Sequence, residues 1–267
     1  MMPAEGANGG AVEVTCDLLI RSYWKDLAWL ELCLASIRRF CRGFRRVILV
    51  LPGSSRPWLR RSAISTADIT IVFCAEYADD YLGQQVTKLM ADHYSDADFI
   101  CHVDADCIFA RPCTPEQLIM AGRPRVVVRT DACADRHWPW RQPTEQFLRW
   151  PVREDFMQQP PFVFPGWLYR EVREFSLQTH HIDLETYVIS QPPRGFSEFN
   201  VLAAFAFRHH HDRFLWLDRQ RRDLPPPFCR WYWSWQGVDA HTRSEIQALL
   251  SNTPAHDGDA SNSHQPG

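Results

Sequence analysis

Two carboxylates stand two residues apart at Asp104 and Asp106, directly after the apolar run Phe99-Ile-Cys-His-Val103. In extended backbone, residues i and i+2 project to the same side, so the two side chains converge where the strand ends. In open α/β sheets that end is where ligands bind. Convergent carboxylates repel unless a cation sits between them. Mg²⁺ is typically held by one or two carboxylates together with the phosphates of a substrate, and Mn²⁺ suits the same oxygen ligands. The chemistry this spacing implies is metal-bridged binding of a diphosphate. Asp also serves as a turn and cap residue, but here the apolar run resumes at once with Cys107-Ile-Phe109, as expected at a strand terminus.

Further residues gather around that pair once the chain is read as alternating strands and helices. Runs over 14–20, 47–51, 69–74 and 99–103 are continuous and apolar, as in a parallel sheet covered on both faces. A fifth strand is expected over 125–129, after a short helix opened by Pro115. Leu27, Leu30, Leu34, Ile37 and Cys41 lie along one face of a first helix. Leu82, Val86, Leu89 and His93 mark the inward face of a second, over 81–94. Gln84 and Lys88 share a face of that second helix, beside the strand that carries Asp104, where a lysine would meet phosphates as a point charge. Arg21-Ser-Tyr23 and Asp26 follow the first strand, on the same sheet edge as the acid pair.

The second half is rich in Pro and Trp and lacks clean periodicity from Asp135 to Trp167. Helices are expected over 167–176, 197–208 and 242–250, with a short strand over 214–217. Arg230-Trp-Tyr-Trp-Ser-Trp235 alternates aromatic residues, as in an extended segment. The fold class is therefore a three-layer α/β/α unit with a mostly parallel sheet, extended by an irregular, aromatic-rich half. Residues 13–250 read as a single catalytic domain, made of a ligand-binding half at 13–131 and a second half at 132–250. Residues 1–12 read as a flexible leader and 251–267 as a disordered tail.

Composition removes several functions. The chain has 267 residues, with 29 Lys and Arg against 32 Asp and Glu, a balance that leaves no footprint for nucleic acid. Nine cysteines are present, but the number is odd and no C-x-x-C pair occurs, so neither a disulfide framework nor a structural zinc site is expected. No run approaches the length of a transmembrane segment, and no signal peptide is recognised. A cytoplasmic protein is expected, free to attach peripherally to the inner membrane face.

The order of elements, with D-A-D after the fourth strand and F-A-R-P downstream, resembles bacterial-type glycosyltransferases of the GT-A fold, in which a D-x-D motif holds Mn²⁺ or Mg²⁺ against the diphosphate of a nucleotide-sugar. The likeness runs over 14–129 and touches 196–206. It implies that Asp104, Ala105 and Asp106 form the donor and metal site, and that Arg21, Ser22, Tyr23 and Asp26 receive the nucleobase and ribose. It also implies that Gln84 and Lys88 meet the donor. A carboxylate near the acceptor would act as base, with Glu198 of Phe196-Ser-Glu-Phe-Asn200 the first candidate and Asp155 the second. A late histidine, His241, would complete the metal shell. The acceptor would be a glycan, a lipid-linked molecule or a protein. Two other functions remain open at this stage: an Asp-based, Mg²⁺-dependent phosphatase or phosphotransferase, and a non-catalytic nucleotide-sugar-binding module. Three strands before the acid pair count against the former, whose acid pair normally follows the first core strand.

Overall fold

The computed structural model describes residues 14–131 and 138–251. The expected leader, all of the expected tail beyond Ser251, and residues 132–137 of the middle segment lie outside the described residues.

In chain order the first half comprises β1 (Cys16–Arg21), α1 (Leu27–Phe40), β2 (Val47–Pro52), α2 (Arg56–Arg61), β3 (Thr70–Cys74), α3 (Asp80–Leu89), β4 (Phe99–Asp104), β5 (Cys107–Phe109), α4 (Pro115–Leu118), β6 (Ile119–Met120) and β7 (Arg123–Val128). The second half adds α5 (Arg141–Leu148), β8 (Phe162–Pro165), α6 (Gly166–His180), α7 (Leu184–Ile189), α8 (Glu198–His209), β9 (Leu215–Asp218), β10 (Cys229–Trp231) and α9 (Ala240–Ser251).

The central sheet has the order β3-β2-β1-β4-β8. Its first four strands are parallel and β8 runs antiparallel to β4. The strands alternate between two cores. Leu19, Ile48, Val50, Ile100 and Phe164 face one, with α3, α5, α6 and α8. Leu18, Ile20, Leu49, Leu51 and Val103 face the other, with α1. A sheet buried on both faces explains why its strands read as unbroken apolar runs.

Three expectations are corrected. The strand at 123–128 forms, but in a separate sheet between β6 and β9, not in the central one. The fifth central strand is β8, from the segment that lacks periodicity. Four residues are too short for a pattern, and Phe162, Val163 and Phe164 are buried on both faces. The second helix stops at Leu89, and a 3-10 turn over Ala91–His93 leaves His93 exposed.

The order also places the ligand crevice. From β1 the chain winds outward through β2 to β3, then returns to set β4 on the other side of β1. The switch point is therefore the β1–β4 pair, whose register ends with Arg21 opposite Asp104.

Candidate functional site

Beyond the carboxyl ends of β1 and β4 lies a cleft of about 690 Å³. Asp104 closes β4, and the tight turn through Ala105 sets Asp106 on the same side, so both acids line the cleft. Ala105 is buried in the α1-side core, as the alternation requires. The turn leads straight into β5, which pairs antiparallel with β10. That ladder brings the C-terminal tryptophan segment against the acid pair: the Ser234 N–H donates to Asp106 Oδ2 at 3.0 Å.

Lys88 reaches the same place from α3. Its ammonium lies 2.6 Å from Asp104 Oδ1 and 2.8 Å from Glu198 Oε1, and 4.8 Å from the centre of the Phe199 ring. Asp79 caps α3 by accepting from the N–H groups of Tyr81 and Leu82, which fixes where the helix begins. Glu198 opens α8 and is buried, with its backbone N–H donating to Gln85 Oε1 at 2.8 Å. Asp155 joins the site through α8: Asn200 Oδ1 accepts from the Phe156 N–H, and Asn200 Nδ2 donates to Ser197 Oγ. Arg129 lies 3.7 Å from Asp155 Oδ2.

Burial raises the pKa of Asp106 to about 7, with the neighbouring Asp104 charge adding to the effect. Burial likewise raises Asp26, with help from Asp80 and Asp104, to about 6. Glu198 is raised by burial against the opposing pull of Lys88, and Asp155 by burial. Burial on its own would lower Lys88, but the Asp104 and Glu198 carboxylates outweigh it and hold the ammonium charged.

Of the residues expected at the site, Arg21, Ser22, Tyr23, Asp26, Gln84, Lys88, Asp104, Ala105, Asp106, Asp155 and Glu198 all line this cleft. His241 does not. It sits exposed on α9, and its position late in the chain says nothing about its place in space. Arg21 is buried and bound to Asp80 through two bonds of 2.9 and 2.5 Å, which ties the end of β1 to the start of α3. Ser22 Oγ is buried without a hydrogen-bond partner.

A divalent cation held by Asp104 and Asp106 would remove the repulsion that, together with burial, discourages Asp106 from ionising. The fit is to two carboxylates completed by substrate oxygens or water. Among the described residues, no three His, Cys, Asp or Glu side chains are grouped to hold a metal.

Sequence reading missed Asp80, Tyr81, Arg129 and Arg194, which also line the cleft, and the placement of its tryptophans. Trp138 and Trp140 of the middle segment line it, with Trp140 stacked on Tyr81 at 6.1 Å. Trp150 and Trp167 pack elsewhere, against Phe175 and His210. The aromatic alternation at 230–235 was the one available signal for Trp231, Trp233 and Trp235.

Residues 10–214 match the model of a family described as "Family of unknown function (DUF6492)". The chain belongs to this family. In this DUF6492 member the matched residues include the acid pair, Lys88, Asp155 and Glu198, while the segment Trp231–Trp235 lies beyond them. No curated protein matches the chain. Among the described residues, no helix is long and apolar enough to cross a membrane.

Proposed function

We propose that the protein is a metal-dependent glycosyltransferase of GT-A type, moving a sugar from a nucleoside-diphosphate donor to an acceptor. The observation that carries this reading is the placement of Asp104 and Asp106 side by side at the switch point of a largely parallel sheet, in an open cleft. Mn²⁺ or Mg²⁺ bound there would act as Lewis acid for the departing nucleoside diphosphate.

The chain's own residues divide the remaining work. Tyr23 and Ser22 face the nucleoside, and the unpartnered Ser22 hydroxyl is available to a ribose or base atom. Arg21 fixes the floor through Asp80. Lys88 holds Asp104 and Glu198 together and keeps one cation beside the phosphates. Glu198 takes the acceptor's proton or orients its hydroxyl, with Asp155 the second carboxylate within the cleft. A cytoplasmic setting, free or peripheral to the inner membrane face, goes with this reading.

The test is a thermal-shift panel of UDP, GDP, CMP and their sugar conjugates, with and without Mn²⁺. One nucleotide at 100 times its Kd should add about 2.7 kcal/mol of stability, only with metal. D104N and D106N should abolish the shift, and E198Q should keep it while losing transfer. Equal shifts in the Asp variants and wild type would overturn the assignment.

A further inference from the structure

Trp231-Tyr-Trp-Ser-Trp235 is fastened to the acid pair by its backbone. The Tyr232 N–H donates to the Asp106 carbonyl oxygen at 2.9 Å, and the Ser234 N–H to the Asp106 carboxylate. Strand alternation sends the Tyr232 ring to the far side, where it packs on Trp29 with ring centres 5.4 Å apart. Trp231 and Trp233 therefore share the cleft side and stack at 5.7 Å with planes 21° apart. Trp231 is partly buried against the core and backs Trp233. Trp235, on the 3-10 turn that follows, also lines the cleft.

These last two indoles are open. Trp233 is 62% exposed and Trp235 72%, the highest values among the exposed large apolar side chains described. Two indoles left in water at the rim of a cleft mark a binding surface. A flat aromatic face with a polar edge suits a ligand that offers an apolar face ringed by hydroxyls, as the C–H face of a pyranose does.

Charge narrows the ligand further. The cleft's described carboxylates, Asp26, Asp80, Asp104, Asp106, Asp155 and Glu198, outnumber its cations. Of the four described cations lining it, Arg21 and Lys88 are matched by Asp80, Asp104 and Glu198, Arg129 faces Asp155, and Arg194 is the fourth. With six carboxylates to four basic side chains in the described lining, an acceptor carrying phosphate, sulfate or carboxylate would meet an acidic surplus.

We infer that Trp233 and Trp235, with Trp231 as their backing, form a subsite for a neutral oligosaccharide whose successive rings rest on the two open indoles. This deepens the transferase reading by naming its acceptor class, and the word acceptor rests on that reading. The site also lies within reach of the chemistry, because its backbone is bonded to Asp106.

The test is isothermal titration of the full chain with neutral hexasaccharides (cello-, chito-, malto- and laminari-linked) and with their monosaccharides. A heparin-derived hexasaccharide and decaprenyl phosphate in detergent serve as charged probes. At least one neutral hexasaccharide should bind ten times more tightly than its monosaccharide. W233A and W235A should each weaken it fivefold or more, leaving the melting temperature and the Mn²⁺-dependent nucleotide shift unchanged. Binding by only the charged probes, by none of the neutral ones, or equally by the Trp variants would overturn the inference. Trp-dependent oligosaccharide binding without any nucleotide shift would sustain the subsite and remove the transferase reading. A nucleotide shift with no oligosaccharide binding would do the reverse.

Discussion

Lys88 Nζ lies 2.8 Å from Glu198 Oε1, joining the third helix to the first residue of the eighth across 110 positions of chain. The same ammonium reaches Asp104, so one buried cation ties together the first acid of the Asp104–Asp106 pair and the carboxylate proposed as base. Both partners of the Lys88–Glu198 bond are almost wholly shielded, with side chains 4% and 3% exposed.

Removing that cation leaves two uncompensated carboxylates. K88M is expected to destabilise the fold by about 3–5 kcal/mol, measured by urea unfolding. K88M/E198Q should cost less than the two single variants added together, because the second change removes one stranded charge. Full stability in K88M would show that the pair contributes nothing to the fold.

His102, on β4, is buried with Nε2 2.6 Å from the Tyr169 hydroxyl. Burial, aided by the Lys88 charge, lowers its pKa to about 3. The folded chain therefore keeps this ring neutral while the unfolded chain protonates it below about pH 6.5. Stability should fall as pH drops from about 6.5 toward 3, with a limiting slope of about 1.4 kcal/mol per pH unit from this group. Urea midpoints at pH 7, 6 and 5 should fall more steeply for wild type than for H102F/Y169F. Parallel slopes would rule out a neutral buried His102.

Asp17, on β1, is pushed up by burial, but bonds from Arg45, Arg46 and Ser95 prevail and bring its carboxyl to about 2. A depressed folded pKa stabilises above the unfolded value, about 3.9, and that stability is lost as pH falls toward 2. With both arginines partly in water, the contribution is about 1–2 kcal/mol. D17N should lose that amount at pH 7 and should converge with wild type near pH 2, read from thermal melts across that range.

Gly83 lies within α3, where alanine would gain about 1 kcal/mol of helix propensity. A Cβ there would meet Tyr77 Cδ2 at 2.6 Å and Tyr77 Cβ at 2.9 Å, and Tyr77 is held by donating its hydroxyl proton to Glu185. Overpacking of this kind costs about 1–3 kcal/mol. The net expectation for G83A is a lower melting temperature. A rise would mean that Tyr77 yields freely.

Local pattern was enough for the first half. Continuous apolar runs gave β1 to β4, 3-4 spacing gave α1, and the i, i+2 rule set Asp104 and Asp106 on one side of the chain, because each of these depends on neighbours in sequence. The same reasoning named Arg21, Ser22, Tyr23, Asp26, Gln84, Lys88 and the Asp104–Asp106 turn, which prove to line one cleft, since in a parallel sheet the strand ends on one edge are neighbours by construction. Asp155 and Glu198, which line it too, came only from the family resemblance. It misplaced His241 because lateness in the chain carries no spatial information. Only tertiary structure decided that Phe162–Pro165 completes the central sheet, that Lys88 is shared by Asp104 and Glu198, and that Trp231–Trp235 is bonded to the acid pair through the β5–β10 ladder. Those are pairings between distant segments, fixed by the closing of two cores around one sheet, and no local periodicity records which distant segments will meet.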